Sequence, residues 1–238
     1  MALVLNGTSD YVTFGDVLDM FTEDRTIVAH VNPLISVAGS TRHVVAKWSD
    51  WSNGYIFGMA SSGWRLNISG VYPPNANYAP PIGAWTQMAA SIDRSLGTDA
   101  VRVYADGVEA ARANCPTPNG NNLNGSVSFC VGAVPGLGGY WPGKIAHVQV
   151  YGRVLSPEEI VTLKTAPASI ADGLIGYWPL VADAVSPLGG ATGTLQRGAT
   201  FDEDDPAPYS PGGGQGGDQA AGRRRLGLRG NLGIGMRT

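Results

Sequence analysis

The chain reads as short apolar runs separated by turn residues. Leu3-Val4-Leu5 ends in Asn6-Gly7, a strong turn signal, and Tyr11 to Phe14 follows. From Thr26 to Asn32 the residues alternate. Ile27, Ala29 and Val31 fall on one face, and Thr26, Val28 and His30 on the other. Val44 to Ala46, Gly54 to Met59, Trp64 to Ile68, Trp85 to Asp93 and Val101 to Ala105 are further predicted strands. Asp106-Gly107 makes a tight hairpin into Val108 to Arg112. Val127, Phe129 and Val131 alternate with Ser126, Ser128 and Cys130. Lys144 to Tyr151 is rich in apolar and β-branched residues, and Leu174 to Leu180 and Phe201 complete the set.

One helix is well signalled. Ser156 is a good N-cap, Pro157 suits the first helical position, and Glu159 completes a capping box. Glu158 and Glu159 are therefore expected to be helix-start carboxylates. About a dozen strands with turns every 8–12 residues predict an all-β fold, an antiparallel two-sheet sandwich. No internal repeat of 20–50 residues is visible.

Composition narrows the class. Of 238 residues, 34 are Gly and only 15% are charged, against averages of about 7% and about 25%. The apolar share of 43% argues against a disordered chain. The Gly excess has no collagen period, and no run reaches the length of a membrane span. A net charge of −3 does not point to nucleic acid, so neither nucleic acid nor membrane is an expected partner. The start has no basic segment and no apolar run of signal length, so export by a standard signal is not expected. Cys115 and Cys130 fit neither a redox motif nor a zinc site. They are either two free thiols or one disulfide closing a loop of about 15 residues.

The charge is unevenly spread. After Tyr209 the composition changes abruptly, which divides the chain into a sandwich (1–209), a Gly-rich flexible linker (210–222) and a basic, alternating segment (223–238). Residues 212–238 carry net +4, leaving −7 for the rest. Behind Arg223, Arg224 and Arg225, the residues Leu226, Leu228, Leu232, Ile234 and Met236 recur at even positions, largely separated by Gly. That is the strand period in a segment too Gly-rich to order alone. It predicts a docking strand that adds to a sheet edge of a partner protein.

The order of motifs resembles the laminin-G-like, concanavalin A-like jelly-roll family. Leu5-Asn6-Gly7-Thr8-Ser9-Asp10-Tyr11-Val12 is similar to its first hairpin, and Thr26 to Pro33 to its second signature, with His30 where the family usually has an aromatic. Trp85 to Ala89 with Val103-Tyr104-Ala105-Asp106-Gly107 resembles the central hairpin. Gly143 to Tyr151 followed by Leu155-Ser156-Pro157-Glu158-Glu159 is the most specific stretch, and Gly176 to Leu180 begins the closing strands. The resemblance spans roughly residues 2–209 and implies a jelly-roll sandwich whose last strands return beside the first. Members bind sugars, bind proteins, act as spacers or carry glycosidase sites.

Catalysis is not expected. Glycosidases of this fold share a Glu-x-Asp-x-x-Glu strand, and none of Glu23, Glu109, Glu158, Glu159 or Glu203 lies in one. His30, His43 and His147 share no metal-ligand spacing, and Gly-x-Ser-x-Gly is absent. No cofactor is expected. Because some relatives hold calcium on the sandwich rim, Asp10 and Asp202 form one candidate cluster if the first and last strands pair. For sugar, Trp64, Trp85, Trp141 and Trp178 read as core. Trp51, beside a turn, and Tyr72 and Tyr78, in a proline-stiffened loop, are the candidate aromatics.

Two functions are expected from these features. The first is a non-enzymatic virion subunit of a phage, a capsid decoration or tail-associated protein made in the host cytoplasm. Its C-terminal strand would anchor it in an oligomeric assembly. The second is a carbohydrate-binding module that recognises host-surface glycans.

Overall fold

The strand that sequence alternation marks most clearly, from Arg25 to Pro33, is buried on both faces, which places it mid-sheet with one face on the core and the other beneath a further layer. The computed structural model describes residues 1–20, 22–50, 53–61, 63–68, 76–115 and 125–203. Among these, the strands are β1 (Ala2–Asn6), β2 (Tyr11–Thr13), β3 (Arg25–Pro33), β4 (Arg42–Asp50), β5 (Asn53–Ala60), β6 (Gly63–Ile68) and β7 (Thr86–Ile92). Then come β8 (Val101–Ala105), β9 (Val108–Ala113), β10 (Cys130–Val131), β11 (Pro142–Tyr151), β12 (Leu174–Trp178), β13 (Thr194–Gln196) and β14 (Thr200–Asp202). A helix, α1 (Pro157–Thr165), follows β11.

The strands form two antiparallel sheets packed as a jelly-roll sandwich. One runs β14-β1-β11-β3-β7-β8-β9, with β12 also on β11; the other runs β13-β2-β10-β4-β5-β6. As expected of the family, the closing strand returns beside the first, with Leu3 opposite both Ile145 and Phe201. Between the sheets lie Leu3, Ile27, Ala29, Val31, Met88 and Ile145 from one side and Val12, Val45, Phe57, Leu66 and Val131 from the other. Aromatic pairs fill the ends of this layer. Phe14 stands 4.6 Å from Trp178, and Phe57 meets Trp64 edge-on at 4.9 Å.

The outer face of the larger sheet is covered by α1. Leu155, Ile160 and Leu163 pack on Val28, Ala89, Tyr104 and Tyr151. The capping box forms as the sequence predicts. Ser156 Oγ accepts from Glu159 N, and Glu159 Oε2 accepts from Ser156 N at 2.8 Å. Glu159 also receives two hydrogen bonds from the Arg153 guanidinium, whose hydrogen bonding holds its carboxyl well down, at about 2. No helix among the described residues is long and apolar enough to cross a membrane.

The structure departs from the sequence reading in three places, and it decides between the two alternatives for the cysteines. Strand β4 continues past Ala46 to Asp50. The alternation from Ser126 to Val131 yields a named strand only at Cys130–Val131, because Phe129 trades backbone hydrogen bonds with Phe14 and Gly15 instead. A short strand forms at Thr194–Gln196, which the hydrophobic pattern does not mark. The two cysteines are free and buried, since Cys115 sits in the core between the sheets while Cys130 faces outward from β10.

Candidate functional site

Among the described residues no helix covers the outer face of the six-stranded sheet, and strand register builds this face row by row. Thr194, Thr13, Cys130, Ala46, Ile56 and Asn67 stand directly opposite one another across all six strands. In an antiparallel sheet such opposed residues share a face. On one side of this row, Trp48 stands opposite Gly54; on the other, His43, Gly58 and Arg65 line up. Tyr11 and Gln196 are opposed at the β2–β13 edge.

A groove of about 310 Å³ lies on this face. Thr13 and Ala46 form its floor, Trp48 and Tyr11 its aromatic sides, and Ser128 and Gln196 its polar rim. Tyr11 is in turn 6.4 Å from the Tyr140 ring. The remaining wall is Val134 and Pro135, carried on a loop that folds back on itself with a bridge between Val134 and Gly138. Val134 packs with Ala46, Trp48 and Ile56 in a small apolar cluster outside the main core.

Two devices hold this arrangement. The first is Gly54, which has a φ of +132° and lies so close to β4 that a Cβ would fall 2.4 Å from Lys47 O and 2.6 Å from Trp48 Cα. Only glycine lets β5 approach Trp48 this closely. The second is His43. Its backbone N–H donates to Gly139 O at 2.7 Å, and its Nδ1 donates to Gly138 O at 3.2 Å, so the loop that carries Pro135 is tied to β4. Burial, with Arg65 and Arg42 near by, pushes His43 down to about 4 against the pull of the Gly138 hydrogen bond. The ring is therefore neutral near pH 7, with a lone pair on Nε2.

The inward side of the same strand is fixed by a buried cation. Lys47 Nζ is held by Asp16 Oδ1 at 2.5 Å, Val127 O at 2.9 Å and Asp19 Oδ1 at 3.3 Å. These contacts anchor the segment that leads to Ser128, on the groove rim.

None of the three candidate aromatics is among the described residues that line this groove. Trp51 and Tyr72 fall outside the described residues, as does the docking strand with Arg223, Arg224, Arg225, Leu226, Leu228, Leu232, Ile234 and Met236. Tyr78 lies elsewhere. It lines a separate recess of about 180 Å³ with Gly39, Met59 and Gly63, and packs partly against the core. The aromatic missed by the sequence reading is Trp48. Ser49-Asp50 beside it has the composition of a turn, but β4 extends through Trp48 to Asp50. A signal was present, since Val44-Val45-Ala46-Lys47-Trp48 continues the strand-forming composition up to Ser49-Asp50.

The rim cluster for calcium does not assemble. Strands β1 and β14 do pair, with Ala2 opposite Asp202. However, the Asp10 carboxylate accepts from Asn6 N, Ser9 Oγ and Gly198 N, while Asp202 pairs with Lys144 Nζ at 2.7 Å. Among the described residues no group of three His, Cys, Asp or Glu side chains is placed to hold a metal ion.

A family model described as the concanavalin A-like lectin/glucanases superfamily matches residues 6–161, more than half of the chain. The chain belongs to this superfamily. Solved structures agree with this lectin/glucanase fold. A proposed carbohydrate-binding protein from Bacteroides ovatus superposes with a TM-score of 0.62 at 17% identity, over 86% of this chain and 63% of its own. The chain thus spans less than two thirds of that protein. The heptameric pentraxin of Limulus polyphemus gives 0.59 at 14% identity, over 83% of this chain and 92% of its own. Domain 4 of an extracellular arabinanase from Geobacillus stearothermophilus, solved with arabinotriose, gives 0.52 at 22% identity, over 68% and 75%. At these identities the likeness is one of fold. No curated protein sequence matches the chain significantly.

Proposed function

We propose that this lectin/glucanase-fold chain is a non-catalytic carbohydrate-binding module that takes a saccharide on the outer face of its six-stranded sheet. The observation that carries this reading is the groove itself. It combines two aromatic side chains, Trp48 and Tyr11, with the hydroxyls of Thr13 and Ser128 and the amide of Gln196. A sugar offers an apolar ring face to an aromatic and hydroxyls to neutral polar groups, so this mixture suits it. The groove of about 310 Å³ lies at the small end of ligand sites, about 300–1,000 Å³.

The chemistry of the lining argues against hydrolysis at this place. Glycoside cleavage needs a pair of carboxyl groups flanking the bond. None of the described residues lining the groove is Asp or Glu. Two of the superposed structures support the reading by what they are, a proposed carbohydrate-binding protein and an arabinanase domain holding arabinotriose. The virion-subunit reading rests on the C-terminal strand, which lies outside the described residues, so the carbohydrate reading is the one the geometry favours.

The test is a glycan array probed with the whole chain, followed by calorimetry on any hit. Trp48→Ala and Tyr11→Ala should each weaken binding by about tenfold or more, the loss of one aromatic contact worth about 1.4 kcal/mol. Tyr11→Ala controls for any destabilisation caused by removing Trp48. Binding unchanged in both variants would refute the site.

A further inference from the structure

Beside the groove, on the same outer face, the row His43–Gly58–Arg65 has a gap where a side chain would stand. Gly58 is directly opposite His43 on β4 and Arg65 on β6, so the imidazole and the guanidinium flank bare backbone. The resulting notch is lined by His43, Ile56, Gly58, Arg65 and Asn67. Glycine is required there by the local bulge, since a Cβ on Gly58 would fall 2.2 Å from Arg42 O and 2.9 Å from His43 Cα. The enclosed room is about 10 Å³, roughly that of a single water-sized group.

None of the described residues lining the notch or the groove is acidic, while Arg65 contributes a permanent positive charge. The imidazole of His43 responds to both Arg65 and Arg42, and no acidic group is among the influences on it. The two other polar side chains complement a guanidinium. With Nδ1–H given to Gly138 O, His43 Nε2 is an acceptor for a hydroxyl. The Asn67 amide, on a residue only 3% exposed, can give or accept.

Geometry connects notch and groove. Asn67 shares a row with Ala46 of the groove floor, two strands away, which is about 10 Å at the usual strand spacing. That distance suits two adjoining sugar rings better than one.

We infer that the saccharide bound by this chain is anionic: its acidic group meets Arg65 at the notch over Gly58, with neighbouring hydroxyls on His43 and Asn67, while an adjoining ring lies against Trp48. The inference rests on the carbohydrate-binding reading and specifies its ligand class. A carboxylate flanked by ring hydroxyls, as the C6 carboxylate of a hexuronate is by those on C4 and C3, uses all three side chains. A sulfate ester offers the same charge to Arg65. Arginine is the better cation here because its planar fork receives two oxygens at once.

The experiment compares matched oligosaccharides by calorimetry on the whole chain. The arms are a uronate-containing oligosaccharide, its carboxyl-reduced neutral counterpart, a sulfated oligosaccharide and a neutral one of equal length. The expected result is that an acidic arm binds at least tenfold more tightly than its neutral counterpart and weakens with added salt. Arg65→Gln should remove that preference while Arg65→Lys retains part of it. Preference for the uronate assigns the group as carboxylate, and preference for the sulfated arm assigns it as sulfate. Equal binding of acidic and neutral arms, unchanged by Arg65→Gln, overturns the inference but leaves the binding module standing. No binding in any arm, or binding that Trp48→Ala does not touch, overturns the underlying reading instead.

Discussion

Acid should loosen this protein in a way that can be traced to His43. In the native state His43 is 4% exposed and its proton affinity is depressed from 6.5 to about 4. In the unfolded chain it titrates near 6.5. As pH falls below 6.5, the unfolded state binds a proton that the native state refuses until about pH 4. Stability therefore drops through this window and then levels off. The gap between 6.5 and about 4, at about 1.4 kcal/mol per pH unit, comes to about 3 kcal/mol. His30, pushed down to about 3 chiefly by burial and then by His147, contributes in the same direction, as do carboxylates at lower pH. A difference measurement separates them. In His43→Gln the side-chain amide can still donate to Gly138 O but does not titrate. Urea unfolding of both proteins near pH 7 and near pH 4 should show wild type losing about 3 kcal/mol more than the variant. Equal losses would show that His43 is not buried as a neutral donor. The loop account would then fail with it, because the same hydrogen bond ties the Pro135 wall to β4.

Other outcomes follow from single contacts. Gly54→Ala puts a Cβ against Lys47 O at a φ of +132°, and should cost at least about 2 kcal/mol in urea unfolding. It should also weaken glycan binding, because β5 and Trp48 must separate. Ser156→Ala removes the N-cap of α1 and should cost about 1 kcal/mol by the same measurement, with glycan affinity unchanged because α1 lies on the opposite sheet. Since Cys115 and Cys130 are free and buried, reducing agent should leave the melting temperature unchanged, and thiol reagents should react slowly until denaturant is added.

How much of this was legible in the sequence differs between fold and site. Hydrophobic alternation, the Asp106-Gly107 turn and the Ser156–Glu159 capping box are local signals, and each formed where its residues stand. The sandwich and the closing strand beside the first came from the order of motifs. The site is a matter of register, which is not local. That Gly58 lies between His43 and Arg65, or that Asn67 shares a row with Ala46, depends on bulges in β4 that no periodicity reveals. Trp48 is hidden in the sequence because Ser49-Asp50 reads as a turn, whereas the bulge after Trp48 lets the strand run on to Asp50. Tyr78 was singled out by its prolines, but loop stiffness does not determine which recess a ring enters.

The place of β1 in its sheet also sets a timetable. Its inward residue Leu3 pairs with Ile145 and Phe201, both far along the chain, so β1 is made well before either strand that satisfies it. Until β11 and β14 have emerged, Leu3, Val4 and Leu5 form a naked apolar segment of the nascent chain. Contacts so distant in sequence slow folding and lengthen the time during which such a segment can stick to another copy. Its yield in cells should therefore depend on chaperone supply and on translation speed more than its final stability would suggest.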